Sequence, residues 1–235
     1  MIVLFIKKGT PIKPDSIRNS ITTFGNNYNQ TVREIIKNSE NGINKQIFSR
    51  NVAILMTKFK MTRSGPFKGV KFSDGKVEDP NEQIATCWER IGNDVVKLRN
   101  FLIQHEKNRS RVLVEISPSI LKEVDSELWQ MFKKLVPICM GKYTLGLVAA
   151  SKVLFSVLPE VALPIDNVQW RTIFKTIDYG DIILRMAEEI IEWESIEEIH
   201  LDSCAPYPLN TLPSIYNIMA MKARNELQYG HEITL

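Results

Sequence analysis

Residues 79–102 read DPNEQIATCWERIGNDVVKLRNFL, and this stretch decides the fold class. Asp79 is a helix-capping residue type, Pro80 suits a first helical position, and apolar residues recur at Ile84, Trp88, Ile91, Val95, Leu98 and Leu102. The steps alternate four and three, so these side chains share one helix face. Gly92 costs about 1 kcal/mol relative to alanine, too little to break so regular a pattern. Phe101 and Ile103 widen the apolar face toward its end, which favours packing inside one domain, with a self-association seam over 84–102 as the alternative.

The same reading extends outward in both directions. Toward the N-terminus, the apolar run Ile2 to Ile6 reads as a buried strand or core edge. A short helix follows, capped by Asp15 or Ser16 and striped by Ile17, Ile21 and Phe24, then helices over 32–37 and from Ile43 to Phe59. Residues 64–78 differ in kind: Asp74-Gly75 is a turn pair, and Val70, Phe72 and Val77 alternate with polar neighbours, which predicts a small hairpin or an ordered loop. Toward the C-terminus, Arg111 to Ile116 fits either a strand or a helical turn. Ser117-Pro118 opens a helix, Ser126 starts another that Pro137 interrupts, and a small-residue helix covers about 144–157. Helices over 168–177, 181–193 and 211–228 complete the chain. The expected fold is mainly α, a multi-helix globular domain with a small β-hairpin element. Residues 1–78 form a basic N-terminal region and 79–235 a helical core region, separate or one continuous domain.

Of the 235 residues, 44% are hydrophobic and 24% charged, the balance of a globular chain rather than a disordered one. No apolar run approaches the roughly 18 residues that cross a bilayer, so no membrane association is expected. Cys87, Cys139 and Cys204 show no paired spacing, which suits reduced thiols and a cytoplasmic location. The net charge of +3 conceals a gradient: Met1 to Lys76 carries 14 Lys/Arg against four acidic residues, while Ile177 to Leu235 carries three against 11. Such polarity speaks of partners and fields: a polyanion on the basic side, or mutual attraction of the two ends within or between chains.

Motifs for chemistry are sparse. Ser119 and Lys122 match a Ser-x-x-Lys spacing without its companion elements, and reads as a surface lysine near a helix start. His200, Asp202 and Cys204 lack the second Cys/His pair of a structural zinc site. No metal or cofactor is expected.

The stretch Gly141 to Phe174 is more informative. It runs from a glycine turn into Leu147-Val148-Ala149-Ala150-Ser151-Lys152, then through Pro159 to Pro164-Ile165-Asp166 and Trp170. A glycine turn, a small-residue helix and a Pro-apolar-Asp cap resemble the helix-hairpin-helix DNA glycosylase superfamily. That resemblance implies an aspartate at position 166 that assists cleavage of a base–sugar bond. The position of the lysine nucleophile found in bifunctional members corresponds to Leu147, and of the two hairpin glycines only Gly146 is present. Lys152 lies too close in sequence to take that lysine's place, so the implied activity is monofunctional. Asp166 also reads simply as a helix cap.

Three functions follow. The first is a nucleic-acid-associated binding protein using Lys58, Lys60, Arg63, Lys68, Lys71 and Lys76, with Phe59, Phe67 and Phe72 as stacking or core residues. The second is a base-excision enzyme using Asp166. The third is a non-catalytic assembly module joined through its charged ends, the 84–102 seam or the acidic 178–202 region.

Overall fold

The computed structural model describes residues 2–7, 9–104, 109–115, 118–142 and 144–228. Two short antiparallel hairpins accompany a helical body. The first pairs β1 (Ile6–Lys7) with β2 (Thr10–Pro11), and the second pairs β3 (Lys71–Ser73) with β4 (Lys76–Glu78). Asp74 and Gly75 both take positive φ, 51° and 75°, the turn that matches the twist of a two-stranded ribbon. The helices are α1 (Pro14–Thr23), α2 (Asn26–Asn38), α3 (Lys45–Lys58), α4 (Gln83–Gln104), α5 (Pro118–Cys139), α6 (Leu147–Val157), α7 (Tyr179–Glu197) and α8 (Leu212–Gln228). The mainly α architecture with a small hairpin is therefore what the chain adopts.

Several boundaries differ from expectation. The α1 cap position is Lys13, because Pro14 occupies the first turn and moves the helix start ahead of Asp15. Pro80 lies before α4, yet Asp79 still serves the helix: its carboxylate accepts the N–H groups of Gln83 (3.0 Å), Ile84 (2.8 Å) and Ala85. The two helices expected around Ser126 and Pro137 are one, because Pro137 falls in the last turn of α5 and removes little of its ladder. Arg109–Leu113 is a 3₁₀ turn rather than a strand; Ile116 and Ser117 lie outside the described residues. Residues 169–174 wind as a π-helical turn.

The body is built around α6, whose residues 149–157 are all buried, and which packs against α3 and α5. The seam residues Ile84, Ile91, Val95, Leu98 and Leu102 lie in the core of the single chain, and Trp88 is half-buried, so most of the seam is spent on folding. A continuous buried cluster reaches from Leu4 to Ala220, on both sides of the hairpin at 71–78.

Two buried polar anchors hold the periphery. Glu189 on α7 accepts the backbone N–H groups of Leu4 and Phe5 and the Tyr216 hydroxyl (2.9 Å), so the first residues of the chain are fastened to α7 and α8. Burial raises its pKa above the ordinary carboxylate value. Arg99, fully buried on α4, donates Nε and Nη2 to the Ser39 carbonyl just beyond α2, and Nη1 to Glu160 at 2.5 Å. Removing one member of a buried ion pair strands the other charge. Arg99→Met is therefore expected to destabilise the fold by about 3–5 kcal/mol in urea unfolding, and Arg99→Met with Glu160→Met to recover much of that loss.

Candidate functional site

A cavity of about 300 Å³ opens where the α1–α2 junction, the end of α3, α6, the 164–169 segment and α8 meet. Phe24, Tyr28, Phe59 and Met221 give it apolar and aromatic walls, and Lys58, Lys152, Asp166, Gln169 and Asn217 supply its polar groups. Its size falls at the lower end of the roughly 300–1,000 Å³ typical of small-ligand sites.

Lys152 enters the cavity because α6 has no solvent face on which a lysine could sit. Its side chain is 7% exposed. The ammonium lies 3.7 Å from the Met61 sulfur and 5.2 Å from the centre of the Phe59 ring. Among the described residues no carboxylate forms an ion pair with it. Desolvation is the main reason its pKa falls from 10.5 to about 8; the charge of Asp166 opposes that shift and the charge of Arg224 adds to it.

Asp166 reaches the same cavity by a different route. Ser151, next to Lys152, exchanges hydrogen bonds with both backbone groups of Ile165 (3.1 and 3.2 Å), and the buried Tyr179 hydroxyl does the same with Leu163 (2.7 and 3.0 Å). These clamps fix the 163–166 segment beside α6. Asp166 Oδ1 accepts the Gln169 N–H at 2.8 Å, while Gln169 Oε1 accepts the Asp166 N–H at 2.8 Å, a reciprocal capping box. Arg224 Nη1 donates to Asp166 Oδ2. From Gln169 a polar chain continues inward: Nε2 donates to Asn217 Oδ1 (3.1 Å), and Asn217 Nδ2 donates to the Tyr28 hydroxyl (3.0 Å). Burial raises the Tyr28 phenol above its ordinary value, so it stays protonated.

The turn that leads into α6 is tightly built. Gly141 and Thr144 bridge across it, and Gly146 adopts φ +79° at the α6 cap position. A Cβ at Gly146 would lie 2.5 Å from the Val136 carbonyl oxygen and 2.9 Å from the Met140 nitrogen, so the close approach of α5 and α6 requires glycine there. The basic segment after α3 packs onto this turn, with Pro66 and Gly65 against Gly141.

The expected nucleic-acid residues Lys58, Lys60, Arg63, Lys68, Lys71 and Lys76 are all exposed. Only Lys58 lines the cavity. Lys71 pairs across the hairpin with Glu78 at 3.3 Å; the other five have no ion-pair partner among the described residues. Of the interleaved aromatics, Phe67 is core, Phe72 lies under the Arg50 guanidinium, and Phe59 faces Lys152. Lys152 is the residue sequence reasoning set aside, although a lysine within Leu147–Val157, a helix otherwise without charge, was the available signal. Comparison with protein-family models, curated proteins and solved structures returns no match.

Burying a lysine without a counter-charge costs stability wherever the unfolded chain would hold the proton and the fold resists it. With a folded pKa of about 8 and an ordinary value of 10.5, the penalty is fully present below pH 8 and fades as pH rises toward 10.5. Lys152→Met should therefore be more stable than the parent at pH 7, by roughly 2–3 kcal/mol in urea unfolding, with the gain shrinking by pH 10. A destabilised variant at pH 7 would contradict the desolvated ammonium.

Proposed function

We propose that the protein is a nucleic-acid-associated base-excision enzyme, drawing an unpaired base into the cavity and working on its sugar bond with Lys152 and Asp166. The observation that carries this reading is a desolvated amine, without an ion-pair partner among the described residues, lining the same aromatic-walled cavity as a carboxylate. A lysine with a pKa of about 8 is about one-tenth neutral at pH 7, whereas an ordinary lysine is roughly 0.03% neutral. Only the neutral amine is a nucleophile. Aromatic walls suit the flat faces of a base, and extrusion of the base brings the sugar to the cavity.

In this reading the neutral Lys152 nitrogen bonds to the anomeric carbon as the bond from that carbon to the base breaks; the base leaves with that bond's electron pair, and the proton given up by the newly bonded nitrogen goes to the base. The Asp166 carboxylate, oriented by Gln169 and Arg224, offsets the positive charge that builds on the sugar. The resemblance of Gly141 to Phe174 to helix-hairpin-helix DNA glycosylases supports the same reading only in part: Lys152 of α6 and Asp166 both line the cavity, and Lys152, set aside on sequence spacing, would supply there the amine absent at Leu147. Exposed Lys58, which lines the cavity, and exposed Lys60 and Arg63, which follow it in the chain, supply cations for phosphates. The assembly reading has less support, since Lys7 and Lys13 pair within the chain with Glu226 and Glu197.

Borohydride trapping on an oligonucleotide with an abasic aldehyde tests the amine directly. The parent protein should form a covalent adduct whose rate rises with pH through a midpoint near 8. Lys152→Met should form none, and Asp166→Asn should retain binding while losing base release. An undiminished adduct from Lys152→Met would contradict the proposal. Replacing Lys58, Lys60 and Arg63 by alanine should flatten the salt dependence of single-strand binding by about 2 units of log K per log salt.

A further inference from the structure

Asn217, Met221 and Arg224 follow one another on α8 at steps of four and three, so they share one helix face. Asn217 and Met221 line the cavity, whereas Arg224 does not; it meets the cavity's lining at Asp166, whose Oδ2 accepts from Nη1. The guanidinium is itself held by its neighbour in the chain. Nε and Nη2 both donate to Asn225 Oδ1, at 3.1 and 2.6 Å, and Nη1 is left for the carboxylate. With side-chain exposures of 21% and 22%, Arg224 and Asp166 are both largely withdrawn from solvent.

Asp166 and Lys152 line the same cavity and can carry opposite charges, yet they form no ion pair with one another. A carboxylate and an ammonium withdrawn from water ordinarily gain by pairing, since each offsets what the other loses in hydration. The counter-charge that Asp166 takes is the guanidinium of Arg224 instead. A guanidinium suits that place: its planar fork matches a carboxylate, and it stays charged across the range in which a lysine titrates. The other ionisable groups lining the cavity are Lys58, at the end of α3, and Tyr28 on α2, which burial keeps neutral. The charges that act on Lys152 are those of Asp166 and Arg224, and they act in opposite directions.

We propose that Arg224 is a positioning residue: by engaging the Asp166 carboxylate it keeps Lys152 from taking Asp166 as an ion-pair partner, and so leaves the amine available for a substrate. This inference rests on the reading of Lys152 as the nucleophile and adds what keeps its amine free. An amine paired with Asp166 would be held in its charged form, which has no lone pair to give. Arg224 touches neither base nor sugar in this scheme; it acts through Asp166.

The test follows the titration of Lys152 in the full-length protein, with carbon-13 methyl groups on its lysines. Arg224→Met should move the midpoint up from about 8 by about one pH unit, as a newly available opposite charge would do. The borohydride-trapped adduct should then form about tenfold more slowly at pH 7. Arg224→Lys keeps a cation beside Asp166 and should recover most of the parent's midpoint. A plain charge effect of Arg224 on Lys152 would be the same with or without the carboxylate. The shift caused by Arg224→Met should therefore be larger in the parent than in Asp166→Asn, where no carboxylate is released. Equal shifts in the two backgrounds, or no shift in the parent, overturn the inference. Melting temperatures confirm that the variants fold, and Arg224→Gln replaces Arg224→Met in both backgrounds should the latter not fold. The titration uses no nucleic acid, so it decides the role of Arg224 apart from the chemistry. If the expected shifts appear while the parent traps no adduct, the base-excision reading fails and the role of Arg224 stands.

Discussion

An ammonium group at the end of Lys152 sits between a thioether and an aromatic ring, with no carboxylate close enough to form an ion pair among the described residues. A charge taken out of water without a partner is unfavourable, and the fold accepts that because α6 is enclosed on every side. The cost is met by the packing of the neighbouring elements: α3 and α5 against α6, and the 163–166 segment fixed by Ser151 and Tyr179. Everything proposed about chemistry follows from this one desolvated amine. Were it exposed it would be one cation among 30 Lys/Arg.

The charge gradient along the chain resolves into two populations. One is consumed internally: Lys7 and Lys13 reach Glu226 and Glu197 on the acidic side, and Arg111 bonds Glu194 at 2.6 Å and Glu115 at 2.8 Å. Within the acidic 178–202 region, Glu197 is thus occupied in holding Lys13, and Glu194 and Asp202 in holding the 3₁₀ turn at Arg109–Leu113. Glu189 and Arg99 do similar work deeper in the body, at the N-terminal segment and at the end of α2. The second population is the set that follows α3, from Lys58 to Lys68, which finds no internal counter-charge among the described residues. Its packing against the α5–α6 turn joins it to the element that carries Lys152. Lys58 of this set lines the cavity, and an unneutralised cation there adds positive potential at its wall.

The legible part of the fold was the periodic part. The seam from Ile84 to Leu102 identified α4, and Asp74-Gly75 identified the second hairpin, because each pattern depends on near neighbours in the chain. Pro14 and Pro80 were harder, since proline marks a start without saying which residue takes the first helical hydrogen bond. Pro137 looked like a break but sits where α5 was ending. Asp166 was legible as a cap, and the reciprocal bonds with Gln169 bear this out. Lys152 was not legible as a partner of Asp166. Their proximity depends on the Ser151 and Tyr179 clamps, which link residues 14 and 16 positions apart. Asn217 and Tyr28 were beyond reach for the same reason, joined across 189 positions.

The most direct measurement is the titration of Lys152 itself. Reductive methylation with carbon-13 formaldehyde places a reporter on each lysine amine, and the Lys152→Met spectrum assigns the missing signal. The expected result is a lysine that titrates near pH 8, apart from the others. A Lys152 signal that titrates near the ordinary 10.5 would mean that water or a counter-charge reaches the amine, and the account of the cavity as a nucleophile's site would be wrong.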